Sequence, residues 1–285
     1  MEKLKVAEIF YSLQGEGRYA GVPSVFLRTF GCNFQCRGFA LPIGEKTTEP
    51  EEIAKKIELY PTYEDLPLAR TGCDSYASWH PAFKHLSPFM TIDEVVDKMH
   101  SLIPKNTWMQ EDGHDIHLVI TGGEPLLGWQ KLYPELLMKC VRNGLTNITF
   151  ETNGTQDLSD EFGNWINDSL SMNALVTFSI SPKLSCSGEA WADAIRPDTV
   201  TDYESVGNAY LKFVVANMDD VAEVDKAVEE YRLAGFTGPA YLMPVGGVDD
   251  IYNLNTKQVA QLAMDRGYRY SPRLQVDIWR NAWGT

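Results

Sequence analysis

Basic charge is scarce in this chain: 25 Lys and Arg stand against 39 Asp and Glu, and the formal net charge at pH 7 is -14. The few basic residues are scattered, so the stripe with which a protein neutralises phosphates is missing, and no nucleic-acid partner is expected. A small-molecule substrate is expected instead. Long apolar runs are also lacking, with no stretch of about 18 such residues to cross a bilayer. The start, Met1-Glu2-Lys3-Leu4-Lys5, passes into a strand-like pattern without the apolar stretch of a signal peptide. A soluble, cytoplasmic protein that touches no membrane is the expectation. Cysteine is sparse and odd in number, five in 285 residues. That argues against a disulfide framework and for metal binding or buried thiols.

What is present is a globular composition, 44% hydrophobic and 22% charged, enough for one large α/β core. Strand-like runs recur at residues 5–12, 24–30, 116–121, 147–151, 175–181, 209–215, 240–244 and 273–277. Helix-period segments lie between most of the later ones, at 132–143, 158–169, 218–234 and 256–266. Such alternation means parallel strands joined by right-handed crossovers. Leu118-Val119-Ile120 and Phe213-Val214-Val215 are continuously apolar, as a sheet buried on both faces requires. The units are too few for a complete eight-fold barrel, so an α/β fold with a partial, incomplete TIM-like β/α barrel is expected, one domain over residues 1–285. Residues 40–88 break the alternation with six prolines and one helical pattern at 50–60, and read as an insertion. Thr91-Ile92-Asp93-Glu94 then sets a hydroxyl and a carboxylate at capping-box spacing and opens a helix.

The chemistry-bearing motifs fall at strand ends. Phe30-Gly31-Cys32-Asn33-Phe34-Gln35-Cys36 follows a predicted strand, and in a parallel sheet that edge is where ligands bind. A third thiol, Cys73, sits in Thr71-Gly72-Cys73-Asp74-Ser75, with thirty-six residues intervening after Cys36. A closed structural zinc or iron-sulfur site wants four ligands, so three cysteines leave one metal position open to substrate or cofactor. The plainer alternative is a structural zinc completed by His80 or His85. Cys140 lies in a helix pattern and Cys186 after a turn, which makes them a core thiol and a loop thiol. Thr121-Gly122-Gly123-Glu124-Pro125, Glu151-Thr152-Asn153-Gly154 and Ser181-Pro182-Lys183 end three further strands. Each alone could be an ordinary βα turn, although two adjacent glycines also let backbone approach a ligand. All three on one edge with the thiols is harder to ascribe to chance.

The Gly31-Cys32-Asn33 opening, Cys36 and Gly122-Gly123-Glu124-Pro125 resemble the radical S-adenosylmethionine superfamily. More specifically, residues 8–17, Glu8-Ile9-Phe10-Tyr11-Ser12-Leu13-Gln14-Gly15-Glu16-Gly17, and 21–28, Gly21-Val22-Pro23-Ser24-Val25-Phe26-Leu27-Arg28, resemble the 7-carboxy-7-deazaguanine synthase (QueE) family. The usual cysteine spacing would put the third thiol at Phe39. Here Cys73 takes that part, followed by Asp74-Ser75 where the family has Asp-Thr.

The resemblance implies a 4Fe-4S cluster on Cys32, Cys36 and Cys73 whose open iron chelates S-adenosylmethionine. It implies cofactor contacts from Gly122 and Gly123 to the methionine end, from Glu151, Asn153, Ser181 and Lys183 to the ribose and carboxylate, and from Glu124. The implied substrate is 6-carboxy-5,6,7,8-tetrahydropterin and the product 7-carboxy-7-deazaguanine, with ammonia lost. Arg28 would grip the substrate carboxylate through a two-pronged pair. Glu16 would accept from the pterin N–H groups, with Gln14, Gly15 and Thr121 beside it. Gln275 or Asp277 would stand in for a histidine found near the C-terminus of many members, and Ser75 would give magnesium one oxygen. An electron donor such as a flavodoxin or ferredoxin, and a homodimer, are implied too. The rival readings are another enzyme of the superfamily, such as a glycyl-radical activase, and a non-catalytic zinc or iron-sulfur protein. The aromatic segment 279–285 either closes the substrate pocket, meets a second subunit or docks on the core.

Overall fold

The structure, a computed structural model, describes residues 2–110 and 113–285. Met1, where the signal-peptide expectation starts, lies outside the described residues. The strands are β1 (Lys3–Leu13), β2 (Pro23–Thr29), β3 (Phe89–Thr91), β4 (His117–Gly122), β5 (Asn147–Thr152), β6 (Leu175–Ile180), β7 (Asn208–Val215), β8 (Ala240–Pro244) and β9 (Arg269–Tyr270). They form one sheet in the order β3-β1-β2-β4-β5-β6-β7-β8-β9. From β2 onward every neighbour pair is parallel, whereas β1 pairs antiparallel with β2 and with β3. The sheet stays open, with β3 and β9 at its two ends not paired to each other, which is consistent with a partial TIM-like barrel.

The helices are α1 (Glu49–Ala54), α2 (Ile92–Leu102), α3 (Tyr133–Arg142), α4 (Asp160–Ser169), α5 (Trp191–Ala194), α6 (Pro197–Val206), α7 (Met218–Leu233), α8 (Asp249–Arg266) and α9 (Leu274–Trp279). The expected box at Thr91 forms: Glu94 Oε2 accepts the Thr91 N–H at 2.7 Å, and Thr91 Oγ1 accepts the Glu94 N–H at 3.3 Å. Asn217 and Asp220 build a second box at the start of α7, one the sequence reading missed. No helix among the described residues is long and apolar enough to cross a membrane.

Period-two alternation decides what the strands present to each side. Val25, Leu27, Leu118, Ile120, Ile148, Phe150, Val176, Phe178, Leu211 and Phe213 point outward into the main core under the helices. The alternate residues Arg28, Thr121, Glu151, Ser179 and Lys212 point inward and line a cavity. Continuous apolarity was therefore only half the pattern. Val214 and Met243 continue the inner face, but much of it is polar.

One expected strand is wrong. Residues 273–277 alternate apolar and polar side chains, yet they open α9, and the final strand is the two-residue β9 before them. Six residues are too few for helical periodicity to show. Tertiary contacts decide the conformation: the Leu274 N–H donates to Gly15 O at 3.0 Å, and Arg273 is held by ion pairs.

The insertion has a small core of its own. Tyr63, Leu66, Ala69, Tyr76, Ala77 and Phe83 pack with Ala7 of β1, and Trp283 closes against them. The Trp283 indole donates to Leu66 O at 2.6 Å and its ring meets Tyr63 edge-on at 4.9 Å.

Candidate active site

The cavity opens at the carboxyl ends of the parallel strands and encloses about 1500 Å³ of empty space, its open mouth included. Cys32, Cys36 and Cys73 all line it. Cys32 and Cys36 stand on the loop after β2, which is fastened from several sides. Glu124 N–H donates to Gly31 O at 2.7 Å, Gly31 N–H to Ser78 O at 2.8 Å, and the Asn33 amide pairs with Asn153 and Thr155 at 2.9 Å each.

The return of the insertion brings Cys73 to the other two. Gly72 N–H donates to Phe39 O at 2.8 Å. Residues 40–71 thus form a closed excursion, and Cys73 re-enters beside the position a compact motif would give its third thiol. All five cysteines are free thiols. Burial pushes the Cys32 thiol up to about 12 and the Cys73 thiol up to about 11, and raises Cys36 as well; Cys73 adds to the rise at Cys32, and both of these add to the rise at Cys36. Cys140 is fully buried in the helical layer, and Cys186 sits in the 3-10 turn Ser185–Ser187 with its thiol toward Val214 O. Neither lines the cavity.

The donor set is soft, and three thiols face one space with no fourth cysteine and no histidine lining it among the described residues. No group of three or more His, Cys, Asp or Glu among the described residues converges as a single-ion site. A soft set of three thiols that leaves one metal position open suits an iron-sulfur cluster better than a closed structural zinc. The zinc alternative also lacks its histidine. His80 Nδ1 accepts the Ala82 N–H at 3.3 Å and its ring lies tilted against Trp79 and Phe83, while His85 is exposed; neither lines the cavity.

Beyond the thiols lies a network of buried charges. Glu16 accepts from Lys212 Nζ at 2.5 Å on one oxygen, and from Arg273 Nε at 3.1 Å and Gln275 Nε2 at 2.7 Å on the other. Burial alone would raise its pKa, but the two cations outweigh that and hold it at about 2. Arg273 also donates to Asp74 Oδ2 and to Gly246 O, tying the residue after Cys73 to the Glu16 loop. Arg28 donates through Nε to Glu8 at 2.9 Å and through Nη1 to Ser75 Oγ at 3.1 Å. Burial opposes the Arg28 charge, yet Glu8, Tyr63 and Asp74 more than offset it and raise its pKa. Glu151 accepts from Gln14 Nε2 at 3.1 Å and Thr121 Oγ1 at 3.2 Å, while Lys183 donates to Ser181 O at 2.8 Å.

Most sequence-predicted residues therefore meet in one place: Gln14, Gly15, Glu16, Arg28, Cys32, Cys36, Cys73, Ser75, Thr121, Gly122, Gly123, Glu151, Asn153, Ser181, Lys183 and Gln275 line the cavity. Two do not. Glu124 is fully buried behind the wall, where it accepts from Thr152 Oγ1, Leu126 N–H and Asn153 N–H at 2.7–3.0 Å. It braces the next strand end instead of reaching a ligand. Asp277 is exposed, its carboxylate accepting from the Tyr252 hydroxyl at 3.5 Å. In a strand, residues 275 and 277 would share a face; in α9 they stand about 200° apart, so only Gln275 turns inward.

The glycines at 122 and 123 also have a different reason from the one expected. A Cβ at Gly122 would lie 2.3 Å from Thr29 O, and one at Gly123 2.3 Å from Gly31 O, so they are small to let β4 meet the cysteine loop. Glu8, Asp74, Lys212 and Arg273 were missed. Lys212 had a signal, a lone cation inside an otherwise apolar strand.

No protein-family model matches the chain. It is 33% identical over 305 residues to a 7-carboxy-7-deazaguanine synthase of Halobacterium salinarum, with 98% of this chain and 91% of that protein covered. A 7-carboxy-7-deazaguanine synthase of Pyrobaculum aerophilum is 29% identical, with 99% and 97% covered. The crystal structure of QueE from Escherichia coli superposes with a TM-score of 0.53 at 19% identity over 94% of this chain and 93% of that one, a likeness of fold. With the fold, the thiol-lined cavity and near full-length similarity in agreement, the chain belongs to the 7-carboxy-7-deazaguanine synthase family.

Proposed function

We propose that the chain is a radical S-adenosylmethionine enzyme that converts 6-carboxy-5,6,7,8-tetrahydropterin to 7-carboxy-7-deazaguanine with loss of ammonia. The observation that carries this reading is the return of Cys73 beside Phe39, which puts three thiols and the Glu16–Arg28 network around one cavity. A 4Fe-4S cluster held by Cys32, Cys36 and Cys73, with S-adenosylmethionine bound, would supply one-electron cleavage of a carbon–sulfur bond and a radical that removes hydrogen from the substrate.

The chain's own groups bind, orient and shield. Arg28 has Nε and one Nη1 hydrogen committed to Glu8 and Ser75, which orients the fork and leaves its remaining N–H groups for the substrate carboxylate. Glu16, ionised far below neutral pH, serves as an acceptor for pterin N–H groups and not as a base. Gln275 is the group that would replace the family's histidine: it donates to Glu16 and keeps a buried Oε1 without a protein partner. Glu151, Asn153, Ser181 and Lys183 offer the donors and acceptors for the ribose and carboxylate of the cofactor. Ser75 would give magnesium one oxygen, with substrate and water supplying the rest; Arg28 takes one lone pair of that oxygen and leaves the second. We take residues 1–285 as one domain with an insertion at 40–88, paired as a homodimer in the cytoplasm and reduced by a flavodoxin or ferredoxin.

Anaerobic reconstitution with iron and sulfide, followed by incubation with reductant, S-adenosylmethionine and the carboxypterin, tests the reading. The deazapurine acid and deoxyadenosine should appear together. Deoxyadenosine without the deazapurine rules out the substrate, and tightly bound zinc with no visible absorbance rules out the cluster.

A further inference from the structure

The segment that follows β6 packs against the cysteine loop from behind. Gly38 N–H donates to Ser187 O at 2.9 Å, and a Cβ at Gly38 would lie 2.8 Å from Cys186 O and from Gly188 N. The two backbones can approach this closely only because residue 38 has no side chain. From the same segment Glu189 reaches forward, and its Oε1 accepts the Gln35 N–H at 2.9 Å and the Cys36 N–H at 2.7 Å.

One residue earlier the pattern differs. Phe34 N–H donates to Cys32 Sγ at 3.3 Å. Of three successive amides in the loop, one goes to a sulfur and the next two to a carboxylate. Cys36 itself has φ 50°, a left-handed conformation that is strained for a non-glycine residue. Charge-assisted hydrogen bonds from its own amide and its neighbour's are a direct means of holding it there.

Hydrogen bonds to sulfur and the net charge nearby are two of the quantities that set an iron-sulfur reduction potential. An N–H aimed at sulfur favours the electron-rich, reduced state. A carboxylate that takes those protons and adds a negative charge favours the oxidised state. We propose that Glu189 is a positioning residue that holds the cysteine loop in register and lowers the reduction potential of the cluster on Cys32, Cys36 and Cys73. The inference rests on the cluster assigned above. A low potential is what a one-electron cleavage of a sulfonium requires of its reductant, so this carboxylate contributes to the driving force without touching substrate.

The experiment is a redox titration of the anaerobically reconstituted protein, followed by visible and paramagnetic resonance spectra, for wild type, Glu189→Gln and Glu189→Ala. Glutamine keeps an acceptor at the same position and removes only the charge. At a fixed ambient potential its ratio of reduced to oxidised cluster should rise about tenfold, about 59 mV for a one-electron couple, with iron per chain unchanged. Alanine frees both amides and should shift the midpoint further in the same direction. A Glu189→Gln midpoint equal to or below that of wild type overturns the proposal. A folded Glu189→Gln protein that takes up no cluster overturns its redox part as well, because the amide keeps both contacts. Wild-type protein without iron or visible absorbance instead overturns the cluster, and Glu189's role with it.

Discussion

Changing Glu16 to Gln removes the one carboxylate shared by Lys212 and Arg273. The magnitude follows from two directions. A carboxyl moved from 4.5 to about 2 on folding stabilises the folded state by about 3 kcal/mol at 1.36 kcal/mol per pH unit. Breaking a buried ion pair costs about 3–5 kcal/mol. The lower end applies because Lys212 keeps Glu151 at 3.9 Å and Arg273 keeps Asp74. Urea unfolding of the metal-free protein at pH 7, with a slope of about 3 kcal/mol per molar, should show the midpoint about 1 M lower in Glu16→Gln. The pH dependence is the sharper test. Since the folded carboxyl titrates below the unfolded one, its stabilisation is complete above about pH 4.5 and is lost as pH falls through about 2. At pH 3 about half should be gone, so the gap between the two proteins should narrow by about half between pH 7 and pH 3. A gap under about 1 kcal/mol at pH 7, or one that stays constant to pH 3, refutes the assignment of Glu16 as an ionised, doubly paired group.

Gly15→Ala would place a Cβ 1.8 Å from Gln275 Oε1, so the amide must leave Glu16; KM for the carboxypterin should rise about tenfold, a loss of about 1.4 kcal/mol in binding, while bound iron stays constant. Cys73→Ala should abolish cluster assembly, whereas Cys140→Ala and Cys186→Ala should retain wild-type iron content, measured per chain after reconstitution. Arg28→Lys keeps a cation but loses the fork between Glu8 and Ser75; kcat/KM should fall at least about a hundredfold, about 3 kcal/mol of transition-state binding, and a substrate amide in place of the acid should narrow the difference.

How far the sequence could be read depended on the length of each signal. The parallel strands were legible because each carries several consecutive outward-facing apolar residues, and the Thr91 cap because its chemistry is local. The cysteine loop and the Gln14 to Arg28 segment were legible as motifs. What stayed hidden was set by contacts between residues far apart in the chain. The six residues of α9 alternate like a strand, and only docking on Gly15 makes them helical. Arg273 is therefore invisible as a site residue until Asp74 and Glu16, 199 and 257 positions away, arrive beside it. Glu124 shows the opposite error. Its place in a ligand-binding motif suggested that it faced the ligand, but a carboxylate with three protein hydrogen-bond donors inside the wall is a brace.

The closed excursion between Phe39 and Gly72 has a consequence for how the protein is made. Its small core includes Trp283, whose indole bonds Leu66 across 217 positions, and the residue after Cys73 is pinned by Arg273. Synthesis runs from the N-terminus at about 5–20 residues per second, so Cys73 waits on the order of ten seconds for these partners to be added. During that interval the third thiol is held at its base by the Gly72 and Thr71 hydrogen bonds alone, with neither late clamp in place. Iron delivery to the finished chain, after the helical tail has docked, is the order of events this architecture favours, and a truncation that ends before residue 273 should keep the Gly72 to Phe39 bond but leave Asp74, beside the third thiol, without its Arg273 clamp.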